Sequence, residues 1–339
     1  MLGFSTQAVM TDMDDRRGYI GLHVDDGLFK AAFVDVRGEI LEVDEREASV
    51  DSVSEMLNTV VEIIAELKQR ASHHGRTVAG VGIGMPGMVN WESQRVEWAP
   101  DLPAIEGFRL SEDVVDRIGV PVVMDNAVRL AAYGEYRCGI GRDASNLVYI
   151  HLGTSVGAGL ILDGLIYRGA LGLAGQLGHM TVDPDGLECR CGNVGCLETI
   201  ASGPNLVRRT KERLFRDRSS SLSSLALPGR GELTPERIAM EALDGDDFSL
   251  MMLEQTGRWV GVAIANLLNL LNLDMVILSG GVMVAGDLFL KPVIAETESR
   301  ARWIPQERCR IVGSPLGGQA TLIGGAMLAR DLQRSGDAR

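Results

Sequence analysis

The sequence predicts an α/β protein of two lobes, and three observations carry that prediction. Helical stretches lead repeatedly into short buried strands, the alternation of an α/β chain. A strand, glycine turn and strand pattern at residues 18–47 returns at residues 146–169, as two lobes of shared ancestry would produce. With 339 residues, 45% of them hydrophobic, the chain is long enough to bury a core in each lobe.

Residues 18–47 alternate apolar and polar positions around Asp25-Asp26-Gly27 and Arg37-Gly38, which reads as the opening meander of a mixed sheet. Apolar side chains at helical spacing over residues 52–71 lead into residues 78–90, a buried strand ending in a Gly/Pro loop. The helix-to-strand pattern repeats over residues 110–126, and residues 128–139 read as another helix, so the first lobe ends near residue 140. Residues 216–237 are rich in Ser, Gly and Pro and read as a mobile loop between helices. A long, largely buried helix follows at 249–274, then a strand into a glycine turn at 275–282, and a loop with a final helix at 317–330.

The formal net charge of −13 argues against a broad nucleic-acid or anionic-membrane surface, because either needs clustered Lys and Arg. No apolar run reaches membrane-span length, and the N-terminus lacks a basic start followed by an apolar core. A cytoplasmic location is expected. There the five cysteines stay reduced, and three of them lying close together point to a metal rather than to disulfides.

Those three, Cys189, Cys191 and Cys196, lie in C-x-C-G-x-x-G-C, and His179 precedes them by ten residues. One nitrogen and three thiolates close a tetrahedral zinc site with no open position, so a structural zinc is expected. Gly192 and Gly195 let the chain fold tightly enough for ligands so close in sequence to converge.

With Gly175-Gln176-Leu177-Gly178-His179-Met180 ahead of it, this segment resembles the signature of the ROK family of repressors, open reading frames and sugar kinases. The resemblance runs from Tyr19 to about Arg330 and takes in residues 82–90, 153–159, 277–282 and 317–329 in family order. It implies a two-lobed, actin-like ATPase fold of the hexokinase/Hsp70 type with a zinc-bearing loop that steadies a sugar-binding wall, the histidine also touching the sugar. The division it implies is a flexible tail over 1–18, an N-terminal α/β lobe over 19–140, a C-terminal actin-like lobe over 141–330 with the zinc loop at 179–196, and a tail over 331–339.

Phosphoryl transfer to a sugar hydroxyl needs a positioned base, a bound magnesium ion and backbone donors around the phosphates. ROK kinases resemble D-x-G-G-T-K in the first hairpin; here the matching stretch is His23-Val24-Asp25-Asp26-Gly27-Leu28. A histidine stands for the metal carboxylate and two carboxylates occupy the glycine turn. One such carboxylate about 5 Å from a phosphate charge repels it by roughly 3 kcal/mol at an effective dielectric near 20. The base comes from a stretch resembling E-N-D-A-N, aligned here with Asp125-Asn126-Ala127-Val128-Arg129, so Ala127 replaces the catalytic aspartate. Loss of a general base costs about 10² to 10⁴ in rate. Asp125 is the nearest substitute, about 7 Å away along an extended strand unless a one-residue bulge brings it in.

Gln176 stands for the glutamate that normally precedes the Gly-His pair, while Glu198 is retained. Asn126, Gln176, His179 and Glu198 therefore form the expected polar wall for a sugar or polyol. Gly153, Thr154 and Gly157 match the family's phosphate loop, and Gly280-Gly281 its adenosine loop, although tight strand turns need glycine regardless. The expectation is a catalytically impaired sugar-kinase homologue acting as a carbohydrate-responsive regulator or sensor. The alternative is an ATP-dependent sugar or cyclitol kinase with Asp125 as base, the only case requiring ATP and magnesium. ROK repressors carry a winged helix-turn-helix ahead of the first hairpin, and eighteen residues, three of them Asp, precede Tyr19 here, so no direct DNA binding is expected. A homodimer or higher homo-oligomer is expected from the resemblance and from the long apolar helix.

Overall fold

The computed structural model describes residues 16–25, 27–100, 102–109, 115–214, 220–225, 232–303 and 308–336. Most of the expected N-terminal tail, Asp26, the start of the segment at 110–126, and much of the Ser/Gly/Pro-rich loop lie outside the described residues.

The chain opens with β1 (Arg17–Val24), β2 (Leu28–Asp35) and β3 (Ile40–Glu47), the meander read from the sequence. Helix α1 (Val53–His73) begins where the Ser52 side chain accepts from the Glu55 N–H. It buries Met56, Val60, Ile63, Ile64, Leu67 and Ala71, three or four residues apart, in the same core as Ile20, Leu22, Phe29 and Phe33. The chain continues through β4 (Thr77–Met85), the small hairpin β5 (Met88–Asn90) and β6 (Arg95–Trp98), β7 (Val122–Asn126) and α2 (Ala127–Cys138). Then come β8 (Leu147–Leu152), β9 (Val156–Leu162), β10 (Leu165–Tyr167), α3 (Glu198–Ala201), α4 (Gly203–Leu214) and α5 (Pro235–Leu243). Helix α6 (Asp247–Leu271), β11 (Met275–Gly280), α7 (Asp287–Arg300), β12 (Arg310–Gly313) and α8 (Ala320–Ser335) complete it.

Among the described residues the strands form two five-stranded sheets, ordered β3-β2-β1-β4-β7 and β10-β9-β8-β11-β12. The order is the same in both. Each has a central strand, β1 or β8, paired antiparallel with its hairpin partner and parallel with a later strand, β4 or β11. This is the structural form of the echo between residues 18–47 and 146–169.

The first break between the two compact units falls between Asp143 and Ala144, close to the expected residue 140, but the chain then returns to the first unit. One holds the chain up to Asp143 together with Ile166–Ala174 and the stretch from Gly318 onward; the other holds Ala144–Leu165 and Gly175–Gly317. The physical reason is the last helix. Gly21 on β1 and Gly82 on β4 have no room for a Cβ because the α8 backbone at Leu322 and Gly325 lies directly against them. Helix α8 also runs to Ser335, into what was expected to be a tail.

Helix α6 starts under an Asp246 cap, the carboxylate accepting from the Ser249 N–H at 2.7 Å, and ends at Asn272 in a left-handed conformation. It buries Met252, Leu253, Val260, Ala263, Ile264 and Leu268 within its own unit, which accounts for its apolar character without a partner chain.

Candidate functional site

In the first unit the candidate residues Asp125, Asn126 and Ala127 lie where β7 gives way to α2. Asn126 is the N-cap of α2: its Oδ1 accepts from the Val128 and Arg129 N–H groups at 2.9 and 3.1 Å. Its Nδ2 donates to the Gly87 carbonyl at 2.7 Å. The chain therefore turns into a helix at Ala127, and Asp125 and Ala127 do not share an extended strand as expected. The bulge that would shift Asp125 is absent too, since β4 and β7 pair without a break from Val81 opposite Val122 to Met85 opposite Asn126. Ala127 is buried and offers only a methyl group; its carbonyl accepts from Thr321 Oγ1.

Asp125 is wholly buried. Its Oδ1 accepts from Arg129 Nε and from the Asn126 N–H, both at 2.7 Å. Its Oδ2 accepts from Arg168 Nε and Nη2 at 3.0 and 2.9 Å. Arg129 also donates to the carbonyls of Gly172 and Val89, tying the 166–174 segment and β5 to α2. The Arg168 guanidinium lies 3.7 Å from the centroid of the Trp91 ring. Burial holds the Arg168 pKa below the usual guanidinium value, while Asp125 pulls it back up. Asp125 is thus the shared counter-ion of two guanidiniums, with every hydrogen-bonding direction engaged. Sequence reasoning missed Arg129, Arg168 and Trp91. The available signal was Arg129 standing where the resembling motif has asparagine.

His23 is the penultimate residue of β1, opposite Lys30 on β2 and Gly84 on β4. Asp25 occupies the tight turn that follows, its N–H donating to the Leu28 carbonyl at 2.9 Å and its side chain exposed. The carboxylate expected in place of a glycine is therefore there, at the tip of the first hairpin.

In the second unit the equivalent hairpin joins β8 to β9, with Leu152 opposite Val156 and Gly157 opposite His151. Leu152 also pairs with Gly280 on β11, so the two predicted nucleotide turns, Gly153-Thr154-Gly157 and Gly280-Gly281, are brought to adjacent strand ends. Thr154 is exposed, and the Gly153 carbonyl accepts from the Gly203 N–H at 2.7 Å, at the start of α4. Gly280 has φ +122, and the Leu152 backbone fills the space a Cβ would need. The Glu236 carboxylate lies against Gly281, and His151 Nδ1 is 3.3 Å from Ser279 Oγ beneath the turns.

His179, Cys189, Cys191 and Cys196 present ligand atoms all within 4.8 Å of one another. Cys189 Sγ is 3.7 Å from His179 Nδ1, and Cys191 Sγ is 3.8 Å from Cys196 Sγ. Tetrahedral zinc with Zn–S bonds of about 2.3 Å separates its sulfurs by about 3.8 Å, the spacing of Cys191 and Cys196, and the four donors lie close enough together to surround such an ion. The segment makes only isolated bridges, Thr181 with Cys196 and Glu188 with Val194, and turns through Gly192 and Gly195 at φ +87 and +69. Burial raises the thiol pKa of Cys189 and pushes that of Cys196 up to about 12, whereas the Asn193 backbone N–H lowers that of Cys191.

Glu198 begins α3 and is buried; its Oε2 accepts from the Val156 N–H at 3.1 Å and its Oε1 from Arg190 Nε at 3.2 Å. Arg190 stands between two of the cysteines, so Glu198 links the cysteine loop to the glycine hairpin. Gln176 is exposed and leads into the short turn Leu177–His179 that carries His179.

A model of the ROK family matches residues 19–332. A glucokinase from Halalkalibacterium halodurans is 33% identical over 323 residues, covering 94% of this chain and 97% of that protein. The crystal structure of a ROK family glucokinase from Streptomyces griseus in complex with glucose and AMPPNP superposes with a TM-score of 0.79 at 32% identity, covering 93% of this chain and 99% of that one. A ROK family transcriptional regulator, a homolog of the E. coli MLC protein, superposes with a TM-score of 0.87 at 26% identity, covering 98% of this chain and 85% of that one.

Proposed function

The chain belongs to the ROK family, and from that premise we propose that it is a sugar-binding protein impaired in phosphoryl transfer that acts as a carbohydrate-responsive regulator or sensor. The observation that carries this reading is the start of α2. A methyl group at Ala127 stands where the family motif has its base, and the neighbouring carboxylate, Asp125, is buried between Arg129 and Arg168. A base must accept a proton from the substrate hydroxyl. Asp125 instead accepts four hydrogen bonds from its own chain. The exposed Asp25 carboxylate in the first hairpin turn further opposes a nucleotide's phosphates.

Asn126, Gln176, His179 and Glu198 are the proposed sugar contacts. The glucose held by the Streptomyces griseus relative supports a sugar as ligand. His179, Cys189, Cys191 and Cys196 are proposed to hold a structural zinc ion, whose chemistry is to fix a loop that makes only isolated bridges. A homodimer or higher homo-oligomer in the cytoplasm completes the proposal, and light scattering at micromolar protein measures its mass. No helix among the described residues is long and apolar enough to cross a membrane.

A second reading, an ATP-dependent sugar or cyclitol kinase, is favoured by the 97% coverage of a glucokinase at 33% identity and by the paired glycine turns Gly153-Thr154-Gly157 and Gly280-Gly281. A magnesium-ATP turnover assay across hexoses, amino sugars and cyclitols, run beside ligand-induced thermal shifts, separates the two. Shifts without turnover support the sensor; turnover establishes the kinase.

A further inference from the structure

The buried cluster at the start of α2 holds two guanidiniums and one carboxylate. Of the groups acting most strongly on Arg168, Asp125 alone is a carboxylate, and Arg129 works against it. The surplus is one positive charge. Taking charge out of water is costly unless an opposite charge accompanies it.

The two arginines differ in what remains open. Arg129 is 3% exposed and donates from Nε, Nη1 and Nη2 to Asp125, Gly172 and Val89. Arg168 is 19% exposed and directs Nε and Nη2 at Asp125. Among the described residues its Nη1 has no hydrogen-bond partner, and the side chain as a whole keeps part of its surface exposed. The Trp91 ring on one face and the Asp125 carboxylate at the edge hold this guanidinium flat and fixed. A planar, immobilised guanidinium with N–H groups not taken by its own chain suits a carboxylate or phosphate.

The cluster adjoins the proposed sugar contact. Asn126 follows Asp125 in the chain, and its N–H donates to the same carboxylate. We propose that the ligand of this site is an anionic monosaccharide, bearing a carboxylate or phosphate group that pairs with Arg168. Arg129 supplies the surplus charge that makes the site selective for it. This rests on the sugar-binding reading above and adds the ligand's charge. With the motif's asparagine at 129 the cluster would be neutral, one carboxylate against one guanidinium, and a neutral sugar would be equally acceptable.

The test is calorimetric titration of the full chain with glucose, glucuronate and glucose 6-phosphate at low and high salt. One or both anionic sugars should bind at least tenfold more tightly than glucose. That margin should shrink as salt rises while the glucose affinity holds. Arg129→Asn should reduce the margin to less than about threefold in a protein that still binds glucose. The salt series on the unaltered protein decides the matter even if that variant does not fold. Glucose binding as tightly as both anions overturns this inference and leaves the sugar-binding reading standing. Absence of binding by all three overturns both. A margin unchanged in folded Arg129→Asn overturns the role given to Arg129.

Discussion

Asp125→Asn removes one negative charge from between two guanidiniums while keeping the outline of the side chain. Removing one partner of a buried ion pair costs about 3–5 kcal/mol, because the remaining charge is left uncompensated. Here Arg129, at 3% exposure, bears the full penalty, whereas solvent relieves part of it at Arg168, at 19%. The asparagine oxygen still accepts one hydrogen bond, but its amide then faces a donor, so the loss stays within that range. For a unit of about 150–250 residues each kcal/mol is worth about 2–4 °C, which gives a melting temperature lower by about 6–20 °C. Circular-dichroism melting measures this directly. Adding Arg129→Asn removes the charge that was stranded, so the pair should lose less than the sum of the single changes by about 0.5–3 kcal/mol. Asp125→Asn melting within about 2 °C of the parent would refute the counter-ion argument. If the parent also shows appreciable turnover that vanishes in a stable Asp125→Asn protein, Asp125 is the base and the kinase reading holds.

Cys191→Ser should lower both bound zinc, measured by elemental analysis, and thermal stability, because ligand binding and ordering of the loop are one equilibrium; a folded variant with a full complement of metal would count against the cluster. Ala127→Asp alone should raise magnesium-ATP turnover by less than tenfold, since His23 and Asp25 still stand where metal and phosphate must bind; full sugar-kinase turnover from that single change would sink the argument. Glu198→Ala orphans the buried Val156 N–H and should cost about 1–3 kcal/mol. Hydrogen exchange should then quicken at Val156 and across the cysteine loop together, and protection unchanged in either place would deny the link through Arg190.

The duplicated hairpin was legible because strand alternation and glycine turns are local signals, present alike at Val24–Phe29 and Leu152–Val156. The grouping of His179 with three cysteines was legible for the same reason: the four residues lie within eighteen positions, and spacing alone constrains them. The return of the chain to the first unit was not, because an apolar helix at 320–335 carries no mark of which sheet it joins. Only the closeness of Gly21 and Gly82 to its backbone assigns it. The Asp125, Arg129 and Arg168 cluster lay beyond reach for a related reason. Arg129 was visible as a departure from the motif, but the 39-residue step from there to Arg168 leaves no periodicity to read.

The change at 127 and the change at 129 belong to one physical argument. A catalytic carboxylate must be basic enough to take a proton from a sugar hydroxyl, and a surplus positive charge nearby lowers its affinity for that proton. An aspartate restored at 127 would share the first turn of α2 with Arg129, beside a cluster that already holds more positive than negative charge. It would become a second counter-ion before it became a base. The same surplus that disables a base there favours an anion brought in by the ligand, since the positive charge is matched only when that anion arrives. Reversal toward catalysis therefore requires Arg129→Asn together with Ala127→Asp, and the double change should also forfeit the preference for anionic sugars. Chemistry and recognition at this helix terminus thus trade against each other through one guanidinium.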